Sequence, residues 1–142
     1  MRDSPALLIT AVNCIRYCQS IAKDCLDAAY NTGLRNTLSI TMRELDEIES
    51  GILAHCHSLG IHFDGLPPLA DLISQIRLRL VLHFKGSDSV ISENMIRALT
   101  NARITLIRVR NQTESHDPTT SILMQRLLGS LTASSRNFHS HL

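Results

Sequence analysis

The sequence predicts an all-α fold. One domain, residues 1–142, folds as a four-helix bundle with a long crossover, holding a short extra helix, between the second and third long helices. Three observations carry this prediction. First, the stretch 88–110, DSVISENMIRALTNARITLIRVR, places Ile91, Met95, Ala98, Ala102, Leu106 and Val109 at alternating steps of three and four. That spacing is the apolar stripe of a helix packed against other helices. Second, three more long stretches repeat the period, separated by glycine, proline and short polar breaks. Third, 142 residues with 44% hydrophobic and 19% charged content suit one soluble domain that buries a core without cross-links.

Taken in order, Ser4 and Pro5 predict the start of the first helix, with serine as N-cap and proline at the first helical position. Leu8, Val12, Ile15, Cys18, Ala22, Cys25 or Leu26, and Ala29 then keep the helical period as far as Tyr30. Arg16, Gln19, Lys23, Asp24 and Asp27 fall mostly on the opposite face. Asn31-Thr32-Gly33 reads as a short break with Gly33 as a C-terminal cap, which makes the next helix an antiparallel neighbour. That second helix is predicted over about 34–59, with Leu38, Met42, Leu45, Ile48, Ile52, Cys56 and Leu59 on its buried side and Gly60 at its end. Glu44, Asp46, Glu47 and Glu49 form the densest acidic cluster of the chain and are expected mostly in water. Each long helix spans about 40 Å at 1.5 Å per residue.

The segment 61–87 differs in kind. IHFDGLPP is irregular, with Gly65 and Pro67-Pro68 as breakers, and a shorter helix is predicted over 69–84, stopped by Lys85-Gly86-Ser87. Its length suffices to carry the chain from one end of a bundle to the other. The third helix opens on a capping Asp88. After the polar turn 111–117, Asp117-Pro118 starts the fourth helix, whose stripe is Leu123 or Met124, Leu127, Leu131, Ser134, Phe138 and His141.

Composition excludes several function classes. Five Phe or Tyr and no Trp leave an aliphatic core. A net charge of +1 supplies no field strong enough to hold nucleic acid or an anionic membrane. No apolar run approaches the roughly 20 residues of a membrane span. The amino terminus, MRDSPALLITAV, carries an acidic residue and a helix start where a signal peptide needs a long apolar region, so a cytoplasmic location is expected. Cys14, Cys18, Cys25 and Cys56 then read as reduced thiols, acting as small buried hydrophobes. The sharper alternative is a thiolate pair, Cys14 and Cys18 at i and i+4, binding a soft metal such as Cu(I) or Zn.

The segment LRNTLSITMRELDEIESGILAHCHSLG, leading into a proline-containing loop, resembles small bacterial ferritin-like proteins, a family of unassigned function. The likeness continues through a crossover helix ending FKGSD, then SVISENMIRAL, and a last helix after Asp-Pro. It covers nearly the whole chain through helix lengths and scattered positions. The resemblance implies the ferritin-like four-helix bundle and, in many relatives, a di-iron or di-manganese site. Such a site uses one Glu on each of two helices and Glu-x-x-His on each of the others. This chain contains no Glu-x-x-His, offers only Asp24 and Asp27 on helix one and Glu93 on helix three, and has no carboxylate after Asp117. The metal centre is therefore expected to be absent or degenerate. Glu44, Glu47 and Glu93 are the least unsuited ligands and otherwise belong to solvated faces.

Other chemistry has weaker support. His55, His57 and His62, with Cys56 nearby, could gather around zinc, but histidines near a helix C-terminus also favour the dipole and solvent there. His139 and His141 sit where chains fray. His83-Phe84-Lys85-Gly86 resembles the His-x-x-Lys-Gly of histidine phosphotransfer domains, one residue short, and reads otherwise as a helix C-terminus. Nothing resembles a nucleophile elbow or a glycine-rich phosphate loop. Arg97, Arg103, Arg108 and Arg110 are expected to pair with the acids of helix two. The function expected is non-enzymatic: a structural or interaction module, including one tied to stress, with a protein partner the sequence does not identify. A homodimer is expected because Ile96, Leu99, Ile104 and Ile107 give helix three apolar residues beyond its main stripe.

Overall fold

The computed structural model describes residues 3–62, 87–113 and 117–142. Four helices make up these residues: α1 Asp3–Ala28, α2 Thr32–Ser58, α3 Asp88–Gln112 and α4 Pro118–His139. There is no strand among them. The short helix expected at 69–84, and His83 with it, lies outside the described residues.

Local chemistry sets the helix ends. Asn31 is the N-cap of α2, its Oδ1 accepting from the Leu34 amide at 3.0 Å. Gly33 is therefore inside the first turn of α2 and does not cap α1, a correction of the expected break. An asparagine that can accept from the amide three residues on starts the helix before the glycine is reached. Arg35 of α2 closes the preceding helix instead, its Nη1 donating to the carbonyls of Leu26 and Ala29 at 2.7 and 3.0 Å. Those carbonyls have no partner within their own helix end. Gly60, at φ 74°, ends α2 in a Schellman turn: its amide bonds the His57 carbonyl, and the Ile61 amide bonds that of Cys56 at 2.9 Å. The cap of α3 is Ser87, whose Oγ accepts from Val90 N at 3.2 Å. Asp88 stands in the first turn rather than at the cap, where its carboxylate still meets the positive end of the helix.

Packing fixes the topology. α1 lies against α2 and α3, α4 lies against the same two, and α1 and α4 touch only lightly across the diagonal. Contacts show the directions. Arg16 reaches Glu49 while Arg35 reaches Leu26, so α1 and α2 are antiparallel. Cys14 and Cys18 meet the carbonyls of Ala102 and Ala98, so α1 and α3 are antiparallel. Glu47 faces Arg126 while His55 faces Asp117, so α2 and α4 are antiparallel. It follows that α2 and α3, on the second diagonal, run in the same direction.

The core is aliphatic. Most of each expected stripe is buried, with Leu7, Leu34 and Leu99 joining it, while His141, expected on the last stripe, lies past the end of α4 and is half-buried. Met42 and Val109 are half-buried, and Leu59, expected inside, is 49% exposed because it is the C-cap of α2, beyond the last packed turn. Phe138, fully buried, is the largest core side chain among the described residues.

Candidate functional site

Among the described residues the fully buried set holds, apart from apolar residues and three cysteines, only the hydroxyls of Thr41, Ser92, Thr120 and Ser134, with no fully buried carboxylate or imidazole residue. Glu44, Glu47 and Glu93 are all exposed. Glu44 accepts from Ser130 Oγ at 3.4 Å, and Glu47 faces Arg126 Nη2 at 3.9 Å. Glu93 borders a surface hollow with Arg97 and His139. The three thus stand on outer faces of diagonal helices and do not converge. Among the described residues no group of three His, Cys, Asp or Glu could hold a metal ion. The described residues do not fit the di-metal centre that the ferritin-like resemblance implies.

The cysteines are core residues. Cys18, Cys25 and Cys56 are buried, and Cys14 is half-buried. Cys14 Sγ donates to the Ala102 carbonyl at 3.9 Å and Cys18 Sγ to the Ala98 carbonyl at 3.7 Å, so both thiols point at the α3 backbone. Burial pushes the Cys18 and Cys56 thiols up, with Cys14 adding to the effect on Cys18. The Cys25 thiol is pushed up to about 12 by burial, with Asp24 adding to it. A soft-metal pair needs thiolates, and this environment disfavours them.

The histidines divide. His57 and His62 are exposed, and Cys56 points into the core, so the zinc cluster does not form. His55 behaves differently: its side chain is 13% exposed and turned onto α4. Its Nε2 lies 2.8 Å from Asp117 Oδ2 and 3.2 Å from Thr120 Oγ1. A carboxylate only accepts, so Nε2 carries the proton in this contact. Asp117 is the N-cap of α4, accepting from the Thr120 amide at 3.2 Å and from the Thr120 hydroxyl at 2.6 Å. These hydrogen bonds from Thr120, together with the His55 charge, hold the Asp117 carboxyl below the usual range. The result is a His-Asp-Thr cluster joining the last turn of α2 to the first turn of α4. Asp and Thr both sit on the same ring nitrogen, so the cluster is not the relay of a nucleophilic triad, in which the acid orients the far nitrogen. Its chemistry is that of a clamp.

Asp117 was legible as an Asp-Pro cap, and Thr120 three residues on could have been read with it. His55 stands 62 residues earlier, and no local signal points to it. His141 Nε2 likewise meets Thr37 Oγ1 at 3.0 Å, so the carboxy-terminal residues pack back onto α2.

The arginine pairing expected from sequence is corrected. The acids of α2 meet α1 and α4: Arg16 Nε lies 3.7 Å from Glu49 Oε1, and Gln19 donates to Asp46. The α3 arginines cannot reach these acids because α2 and α3 are diagonal. Arg103 turns to α4 instead, its Nη1 donating to Thr132 Oγ1 at 3.2 Å. The second apolar side of α3 also shrinks: Leu99 is buried, Ile96 and Ile107 are half-buried, and only Ile104, at 47%, is exposed.

No helix among the described residues is long and apolar enough to cross a membrane. Comparison with protein-family models, with curated proteins and with solved structures finds no match.

Proposed function

We propose that the chain is a ferritin-like four-helix bundle without a functional metal centre, a non-enzymatic module that acts through its surface on a protein partner. The observation that carries this reading is the interior. Where ferritin-like proteins place carboxylates, the core formed by the described residues holds apolar side chains, thiols and four hydroxyls. The parallel diagonal pair α2 and α3 supports the ferritin-like half of the reading, since two such helices are joined by a crossover rather than a tight turn. A cytoplasmic location and a homodimer belong to the same proposal, with Ile104 as the exposed apolar residue left to it.

The test is elemental analysis of the untagged protein before and after anaerobic incubation with Fe(II), Zn(II) and Cu(I), alongside its solution mass. The expected result is no stoichiometric metal and a dimeric mass. About two iron or manganese ions per chain, as a di-metal site would bind, overturns the reading. A strictly monomeric mass at micromolar concentration removes the dimer alone.

A further inference from the structure

Arg103 has one hydrogen-bond partner among the described residues, the Thr132 hydroxyl, and its Nε is shut off from water with none. Thr132 is itself anchored, donating to the Leu128 carbonyl at 3.0 Å, so the guanidinium is held in place. Arg103 as a whole is half-buried, and a charge partly withdrawn from water is ordinarily met by an opposite charge. The flanking helices supply none: α3 has no Asp or Glu after Glu93, and α4 has none at all. The carboxylates of α2 that reach α4 do so at Ser130 and Arg126.

Beside Arg103 opens a hollow of about 430 Å³ between α3 and α4, a volume within the range of small-molecule sites. Arg136 also lines it and has no hydrogen-bond or ion-pair partner among the described residues. Ile107 and Leu128 give it apolar wall, while Gly129 and Ala133, one turn apart on α4, keep it open. A Cβ at Gly129 would meet nothing within 4 Å. A glycine in a helix interior costs stability relative to alanine, and no close packing here requires one.

We propose that this hollow binds a small organic oxyanion, a compact apolar body carrying a phosphate or carboxylate group, with Arg103 and Arg136 as the counter-charges. A guanidinium fork matches either group in two parallel hydrogen bonds, and the apolar body lies against Ile107 and Leu128. The inference goes beyond the surface-module reading and stands whether or not the bundle is ferritin-like.

The test is titration of the full chain, followed by calorimetry and amide NMR, with phenyl phosphate, benzoate and inorganic phosphate at constant ionic strength. Saturable one-to-one binding is expected for at least one organic probe, tighter than for inorganic phosphate, with shifts centred on residues 103–107 and 128–136. Tighter binding of phenyl phosphate assigns the group as phosphate; tighter binding of benzoate assigns it as carboxylate. Arg103→Gln is expected to lower affinity at least about tenfold, the loss of one charge-assisted contact. Gly129→Leu keeps both charges and narrows the hollow, and is expected to weaken binding while the protein stays folded. Should Arg103→Gln not fold, Arg136→Gln and Gly129→Leu carry the test. Non-saturable binding, equal binding of all three probes, or binding unchanged in Gly129→Leu overturns the proposal.

Discussion

Replacing Asp117 by alanine should unfasten the amino-terminal end of α4 from the bundle. The carboxylate accepts three hydrogen bonds: the Thr120 amide at 3.2 Å, the Thr120 hydroxyl at 2.6 Å and His55 Nε2 at 2.8 Å. Loss of an Asp N-cap costs about 1 kcal/mol. Leaving the largely buried His55 N–H without its acceptor adds about 1–2 kcal/mol. The sum is about 2–3 kcal/mol. At about 2.1 cal/mol/K per residue the unfolding entropy is about 0.3 kcal/mol/K, so Tm should fall by about 6–10 °C. Asp117→Asn retains a capping oxygen and should cost about half as much. The assay is thermal and urea unfolding of Asp117→Ala, His55→Ala and the double variant, with the cycle giving a coupling of about 1 kcal/mol. Because Thr120 above all, and His55 after it, hold the folded carboxyl below its unfolded value, the contribution is complete above about pH 5. It is lost as pH falls through the carboxyl range to the lowered folded value, where wild type and Asp117→Ala should converge. A cost under about 0.5 kcal/mol at pH 7, the range of ordinary surface substitutions, would refute the clamp. So would a cycle showing no coupling to His55.

Three further outcomes follow from the same packing. Gly129→Ala should stabilise the protein by about 0.5–1 kcal/mol in urea unfolding, because the position is helical and a Cβ there meets nothing within 4 Å. Glu49→Gln should raise stability at pH 7. Burial lifts the Glu49 carboxyl, with Arg16 opposing it and Asp46 adding to it, so the native state favours the protonated form and loses stability as pH rises through the folded value. The gain should therefore vanish below about pH 4, where even the unfolded carboxyl is protonated; a gain that persists there would disprove the cause. Cys18, Cys25 and Cys56 should resist alkylation at pH 8 in the native state and react at once in denaturant, read by mass spectrometry. Rapid native labelling of Cys18 would mean that α1 and α3 separate easily.

The helices and the core were legible in the sequence because both rest on local rules. Spacing in steps of three and four marks the buried face of each helix wherever it packs. For this reason Ile15, Leu45, Met95 and Leu131 are all found inside, as expected. Asp117-Pro118 and Gly60 likewise mark ends through their own backbone preferences. The structure departs from expectation in two ways. Gly33 and Asp88 lie inside the first turns rather than at caps, because Asn31 and Ser87 accept from the amides of Leu34 and Val90, three residues on. The α3 arginines and Leu99 were misplaced because periodicity says which residues share a face and not which helix that face meets.

That second question is tertiary. The order of residues alone determined four long helices with apolar stripes and a mostly aliphatic core. Only the packed bundle decided that α2 and α3 lie on a diagonal. That geometry separates the acids of α2 from Arg103, leaves this cation beside an open hollow, and turns His55 onto a cap 62 residues away. Partners so distant in the chain meet through the summed burial of many apolar side chains, and no local pattern encodes where that burial brings two charges together.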